Sequence, residues 1–265
     1  MAFLTEHAAS ILVSILAAVI VILPCMMIER LMPVQRGQPR KEIALNAGYA
    51  VVRLSMLDVF RPTAGLVGVL SVNALGGGLI ELPIEGTWIV LSFLAYILLI
   101  DFLEYAFHRA QHKVKPLWAM HSLHHSEQAM NVLTGYRHFW LENLLKVAFV
   151  YPLAGILFKV PAEIVAPVSI IYSVVNTAAH LNMPVSFGRF SLLLMNPQYH
   201  RIHHSVRPEH LNKNFADVFP LFDVIFGTVW KPRKGEFPDT GLDTGDKPTS
   251  VWEAAVWPLR RAGVS

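Results

Sequence analysis

The sequence contains a single cysteine, Cys25, set in an apolar run. No disulfide can form within the chain, and zinc sites built on cysteine are excluded. Charge is also scarce: Asp, Glu, Lys and Arg make up 15% of the residues, where soluble domains average about 25%. The net charge of +3 is small. Its basic residues are scattered through polar segments without forming a basic face, so a nucleic-acid partner is excluded. Residues 1–7 lack a positively charged start and Glu6 is acidic, so a cleavable signal peptide is not expected. Internal repeats and low-complexity tracts are absent.

What replaces charge is apolar length. Hydrophobic residues reach 54% and the mean hydropathy is +0.44, values that point to a lipid solvent. Residues 8–28 form a run long enough to span a bilayer. Residues 43–60 are amphipathic and carry Arg53 and Asp58, which places them at the interface or against other helices. Residues 63–82 are apolar and glycine-rich and form a second candidate span, with Gly76, Gly77 and Gly78 read as a site of tight helix packing. Residues 87–107 are a strong span. Residues 144–160 and 163–179 read as a helical hairpin turning at Lys159-Val160-Pro161. The expected fold is an all-α integral membrane bundle of four to five spans, carrying a cytosolic helical cap. Of the 22 Lys and Arg residues, all but Arg53, Arg61 and Lys159 fall in the segments placed on one side, so that side is the cytosol and the N-terminus lies outside.

Twelve histidines are present, and most are clustered. His108 and His112 lie four apart at the end of the third span, on one helical face. His121-Ser-Leu-His124-His125 follows, and His200-Arg-Ile-His203-His204 repeats that pattern downstream. Neighbours such as His124 and His125 diverge by about 100° on a helix and can reach two different metals. His180 closes the hairpin, one turn after Asn176. Eight or nine imidazoles exceed what one metal takes, and imidazole suits Zn, Cu, Fe and Ni. A structural zinc would close with four ligands, so two redox metals sharing O2 fit the count better. Asp101 and Glu104, one to two turns before His108, are expected either to accept the free ring N–H of a ligating histidine or to cap the helix and reach the interface. Asn176 is placed to meet a metal through water or to bond within the hairpin. His138 and His210 read as structural or supporting residues, and His7 as solvated.

These residues resemble the fatty acid hydroxylase / sterol desaturase superfamily of membrane di-iron enzymes. The resemblance runs through Asp101-x3-Tyr105-x2-His108-Arg109-x2-His112, His121-x2-His124-His125-Ser126 and Asn196-Pro197-x2-His200-Arg201-x-His203-His204-Ser205. It closes with Asn212-Lys-Asn214 and Leu221-Phe222-Asp223-x2-Phe226-Gly227-Thr228. It implies one membrane domain over 1–265, with membrane helices to residue 100, a catalytic core over 101–230, and a loosely packed tail over 231–265. It implies two iron ions held by His108, His112, His121, His124, His125, His180, His200, His203 and His204, supported by Asp101, Glu104, Tyr105 and Asn176. Arg137-His138-Phe139-Trp140-Leu141-Glu142 departs from the family's Arg-x-His-x-x-Glu element by displacing the histidine one place. Asn214-Phe215-Ala216 stands where Asn-Tyr-Gly is common.

The resemblance further implies O2-dependent oxidation of a lipid C–H bond, with hydroxylation preferred and desaturation as the alternative on the same centre. Fatty acyl chains, sterol- or hopanoid-like rings and carotenoids are the candidate substrates. The electrons come from an external ferredoxin or cytochrome b5-like donor; Arg207, Lys213, Lys231 and Arg233 read first as ordinary inside-positive loop residues and second as basic contacts for that donor. A different class, a non-enzymatic metal binder or transporter, would place its ligands inside the spans along a polar path.

Overall fold

The computed structural model describes the backbone of residues 2–261 and the side chains of residues 7–260. Five of its helices are long and apolar enough to cross a membrane: α1 (Ala2–Glu29), α2 (Arg40–Ala74), α3 (Trp88–Lys113), α5 (Trp140–Leu157) and α6 (Ala162–Ala179). Between α3 and α5 lies the short α4 (Lys115–His125). After α6 come α7 (Pro197–His203), α8 (Leu221–Ile225), α9 (Val251–Ala255) and α10 (Trp257–Arg261).

The spans are apolar on most of their surface because lipid, not water, surrounds them. On α1, Ile20 is 71% exposed. Where α1 ends, the chain is fixed by a buried carboxylate: Glu29 accepts from the backbone N–H of Val132 and of Asn182, both at 2.8 Å. Five crossings in alternation bring the ends of α1, α3 and α6 and the starts of α2 and α5 to one side, which is where the histidines gather. At the opposite end two short strands, β1 (Ile80–Glu81) and β2 (Phe158–Lys159), pair in parallel. There Lys159 meets Glu81 at 3.1 Å.

The second span differs from expectation. The amphipathic stretch and the glycine-rich stretch are one 35-residue helix running through Pro62. Proline is tolerated inside a membrane helix because neighbouring groups compensate for the lost donor, so Arg61-Pro62 does not break the element. At about 1.5 Å per residue α2 reaches roughly 52 Å, well beyond a hydrocarbon core of about 30 Å. The helix stops before the glycine run instead. Gly78 donates to the carbonyls of Gly155 and Ile156 at 2.9 and 3.0 Å, and a Cβ on Gly77 would lie 2.9 Å from the Gly155 oxygen. Those glycines serve a backbone-to-backbone approach at the end of α5.

The tail also differs. It is clamped over the histidine end rather than loosely packed. Arg201 Nε donates to the Pro238 carbonyl at 2.8 Å, Val206 and Gly241 exchange backbone bonds with Asp239 and His204, and Ser205 bridges Thr240. Trp257 packs with Tyr49, Met120, Leu123 and Phe139, and its indole N–H donates to Ser122 at 2.9 Å. The reason is that Arg201 and the carbonyls around it are buried and need partners, and the tail supplies the Pro238 carbonyl and the Gly241 N–H.

Candidate metal centre

Each histidine cluster is delivered by a helix end. α3 carries His108 and His112 in its last two turns. A single residue, Val114, separates α3 from α4, whose Pro116 suits a first helical turn and whose buried face bears His121, His124 and His125. His180 caps α6. Asn196 caps α7 by accepting from Tyr199 N at 3.2 Å, which sets His200, His203 and His204 facing the other clusters.

The nine histidines fall into two groups. His108, His112, His121, His125 and His203 form one, and His124, His180, His200 and His204 the other. Within each group the ligand-capable nitrogens lie within 4.8 Å of one another. The adjacent pairs His124/His125 and His203/His204 are divided between the groups, as divergence on a helix predicts.

The hydrogen bonds fix the tautomers. His108 donates from Nδ1 to the Phe215 carbonyl at 2.8 Å, His124 to Thr134 at 3.1 Å, His180 to Asn176 at 2.7 Å and His203 to Lys213 at 2.8 Å. A carbonyl only accepts, so Nδ1 holds the proton and Nε2 is left with a lone pair. Nε2 of His108, His121 and His203 is buried with no hydrogen-bond partner. Nε2 of His124 faces Nε2 of His180 at 3.2 Å, so two lone pairs meet with no proton between them. His180 to His200, His200 to His204 and His112 to His125 repeat this Nε2 approach at 2.9, 3.2 and 3.1 Å. Nitrogens sharing a metal at bonds of about 2.0–2.1 Å are ~2.9–3.4 Å apart. The donor set therefore fits two cations, one per group.

Burial reinforces this. It pushes His121, His124, His125, His200, His203 and His204 well below the usual histidine range, and neighbouring imidazoles push further. Burial takes His180 down to about 3, against the opposing pull of the Asn176 carbonyl. Neutral imidazole is the form that binds metal.

The acidic residues are arranged differently from expectation. Asp101 accepts from Val218 N, Phe219 N and the Tyr172 hydroxyl. Glu104 pairs with Lys146 and accepts from the Tyr151 hydroxyl. Neither carboxylate takes a histidine N–H: both point one to two turns below His108, and the backbone carbonyl of Phe215 already fills the place beside that ring. Tyr105 meets Thr228 Oγ1 at 3.0 Å and packs on Phe226. Asn176 contributes its backbone carbonyl to His180. Among the described residues, the carboxylate that reaches one of the nine grouped histidines is Glu142, 3.0 Å from His121 Nδ1. It also lies 3.4 Å from His138 Nδ1, and the His138 ring stacks on His124 with centroids 3.8 Å apart.

Sequence reasoning also missed the residues that aim the carbonyls. Asn212 and Asn214 adopt left-handed backbone conformations, with φ of 57° and 60°. They turn the carbonyls of Lys213 and Phe215 toward His203 and His108. Asp223, buried, holds that loop by accepting from Phe215 N, Ala216 N, Tyr199 and Thr228. The signal was present, since Asn tolerates φ > 0 where most residues do not. His210 is buried against Trp230, 3.4 Å from Glu236. His7 is half-buried, 3.4 Å from Asp58 rather than simply solvated.

A family model described as fatty acid hydroxylase matches residues 93–228, just over half of the chain. Human alkylglycerol monooxygenase is 33% identical over 150 residues, covering 57% of this chain and 32% of the relative. The ornithine lipid hydroxylase OlsE of Rhizobium tropici is 26% identical over 168 residues, covering 63% and 50%. A very-long-chain aldehyde decarbonylase of Arabidopsis thaliana is 27% identical over 157 residues, covering 56% and 24%. The chain spans about a third of the length of the alkylglycerol monooxygenases it matches. No solved structure matches it significantly.

Proposed function

This chain belongs to the fatty acid hydroxylase family, and on that premise we propose that it hydroxylates a C–H bond of a membrane lipid with O2 at a pair of irons. One oxygen atom enters the C–H bond and the other leaves as water, with two electrons and two protons consumed. The observation that carries the reading is the convergence of ring nitrogens in two groups, with the Nδ1 protons of His108, His124, His180 and His203 committed to carbonyls. The nine histidines are the proposed ligands, and iron bound there would supply O2 activation and C–H oxidation.

The protein's own residues supply position and dryness. The carbonyls of Thr134, Asn176, Lys213 and Phe215 lock the rings in their ligating tautomer, as second-layer partners of ligating histidines do. Glu142 does the same for His121 through its carboxylate. The clamped tail and Trp257 cover the Ser122 face of α4. The histidine end is read as cytosolic, because Arg30, Arg36, Lys113 and Lys115 flank it while Glu81, Glu85 and Lys159 lie opposite. Electrons come from an external ferredoxin or cytochrome b5-like protein. A cavity of about 260 Å³ lined by His112, Trp118, His125 and His203 offers an approach for such a donor, with the Trp118 ring 5.0 Å from His112. Within this reading, the whole of 1–265 acts as one membrane domain.

The test is comparative lipid analysis of cells with and without the protein, grown under isotopically heavy O2. A lipid that gains one labelled oxygen supports hydroxylation. Loss of two hydrogens without oxygen gain would mean desaturation, and an unchanged lipid profile would refute the assignment.

A further inference from the structure

The link between α1 and α2 walls a cavity of about 750 Å³ at the histidine end of the bundle. Arg30, Arg36 and Arg40 line it. Among the described residues, no carboxylate lies within ion-pair distance of any of the three. The carboxylate in the lining is Glu29, whose Oε1 is committed to the backbone of Val132 and Asn182. Three guanidinium groups against one carboxylate leave a net charge of +2 around the cavity. None of the nine grouped histidines lines it, so it is separate from the metal centre.

The start of α2 adds to that charge. Pro39 stands at the cap position and makes no side-chain bond there. The first-turn carboxylate, Glu42, is taken by Lys247 at 2.7 Å. The helix therefore presents uncapped N–H groups and the positive end of its dipole beside Arg40. Helix starts of this kind, reinforced by arginine, suit phosphate.

The neighbours narrow the class of anion. Leu31 and Met32, between Arg30 and Arg36, are 78% and 60% exposed. Apolar side chains so bare, among arginines at the end of a membrane helix, belong where hydrocarbon meets the headgroup layer. Phosphodiesters populate that layer. Gln35 Oε1 lines the same cavity, buried and with no hydrogen-bond partner. It is an acceptor and needs a donor, which a phosphodiester lacks and a head hydroxyl supplies. A choline head has no such donor, and its positive charge opposes the arginines. The volume corresponds to roughly 25 waters, ample for a phosphate and a small head alcohol.

This link is also stapled to the frame of the four-histidine group. Gln35 N donates to Asn182 Oδ1 at 2.9 Å, and Asn182 Nδ2 returns a bond to the Gln35 carbonyl at 2.8 Å. Gln38 Nε2 donates to the carbonyls of Ala129 and Met130 at 3.0 and 2.9 Å. Asn182 lies two residues beyond His180. Asn131 caps the turn whose Thr134 carbonyl accepts from His124. Whatever pins the link therefore pins the supports of two histidines.

We propose that this cavity binds an anionic phospholipid of the leaflet on the histidine side, as a bound lipid and not as the molecule oxidised. Its phosphate sits on Arg30, Arg36 and Arg40, its head hydroxyl meets Gln35, and its presence braces the segment from Ala129 to Thr134. The hydroxylase reading is not needed for this, since the site takes no part in that chemistry.

The test uses the full chain in detergent micelles, with dioleoyl-phosphatidylglycerol and dioleoyl-phosphatidylcholine as probes. The two share their chains and carry one phosphodiester each. Native mass spectrometry reads the bound fraction. The wild type should bind the glycerol-headed lipid about tenfold or more tightly, the combined effect of several solvent-screened charge contacts. Replacing Arg30, Arg36 and Arg40 together by Gln should bring that ratio close to one; all three are exposed, so folding is not at stake. Replacing Lys113, Lys115 and Lys234 together by Gln removes the same charge from the same end and should leave the ratio unchanged. Gln35→Leu should narrow it in part. Equal binding of the two lipids by the wild type, or equal losses in the two triple variants, overturns the site. Displacement of the lipid by millimolar inorganic phosphate would make this a free-phosphate site and overturn the lipid assignment. Hydrogen exchange over 129–136 should slow when phosphatidylglycerol is bound, and binding without slowing would overturn the bracing.

Discussion

Glu142 and His121 face each other across 3.0 Å, carboxylate Oε2 to ring Nδ1. The same oxygen accepts from Gln111 at 2.6 Å, and the other carboxylate oxygen accepts from Phe139 N at 2.8 Å. Glu142 is therefore held rigidly while it holds His121. Replacing Glu142 by Gln should weaken metal binding about 10–100-fold, the usual effect of losing such a partner. Competitive metal titration of the purified protein checks this. Asp101→Asn, by contrast, should leave metal affinity unchanged within error, since Asp101 is committed to Val218, Phe219 and Tyr172.

The division of the histidines makes a selective prediction. His200 belongs to the four-membered group and His112 to the five-membered one. His200→Ala should lower metal content from about two to about one per chain. His112→Ala leaves four other histidines in its group and should lower affinity more than occupancy. Elemental analysis of the two variants separates them. Equal losses would mean that the two groups do not act as distinct sites.

The spacing of the clusters exposed much of this arrangement. Three of the histidine clusters sit on helices, and helical divergence alone separates His124 from His125. The spans were legible because apolar length is a strong signal in a bilayer. What sequence could not show is which group supports each ring. Four of those supports are backbone carbonyls, from Thr134, Asn176, Lys213 and Phe215, and any residue can offer a carbonyl. Asp101 and Glu104 look suitable by helical spacing, yet nearer backbone and cationic partners claim them. The role of residues 231–261 was hidden for a related reason: around Arg201, His204 and Val206 the tail makes its contacts with backbone groups, which leave no compositional mark.

Asp223 is the keystone of the loop that presents the Phe215 carbonyl to His108. It accepts four hydrogen bonds while fully buried. Asp223→Ala leaves those donors unpaired, at a cost of about 3–5 kcal/mol. Thermal unfolding in detergent should show the loss. Asn214→Ala should show a smaller one, because φ of 60° strains an alanine and the bond from Trp230 N is lost.

Trp257 tests the clamped tail. Its side chain is buried and bonded to Ser122 on the helix that carries three of the nine histidines. Trp257→Ala should cost about 3–5 kcal/mol, as large aromatic truncations do. Limited proteolysis should then cut between 231 and 250 faster than in the wild type. Unchanged protection would mean that the tail contributes little to closing the site.

The most direct measurement is the metal content of the full chain, purified without chelators from iron-replete cells. Two groups of converging, neutral imidazoles predict about two iron atoms per chain, both lost on removing the four-histidine and five-histidine groups together. A single zinc per chain, or no metal at all, would contradict the account.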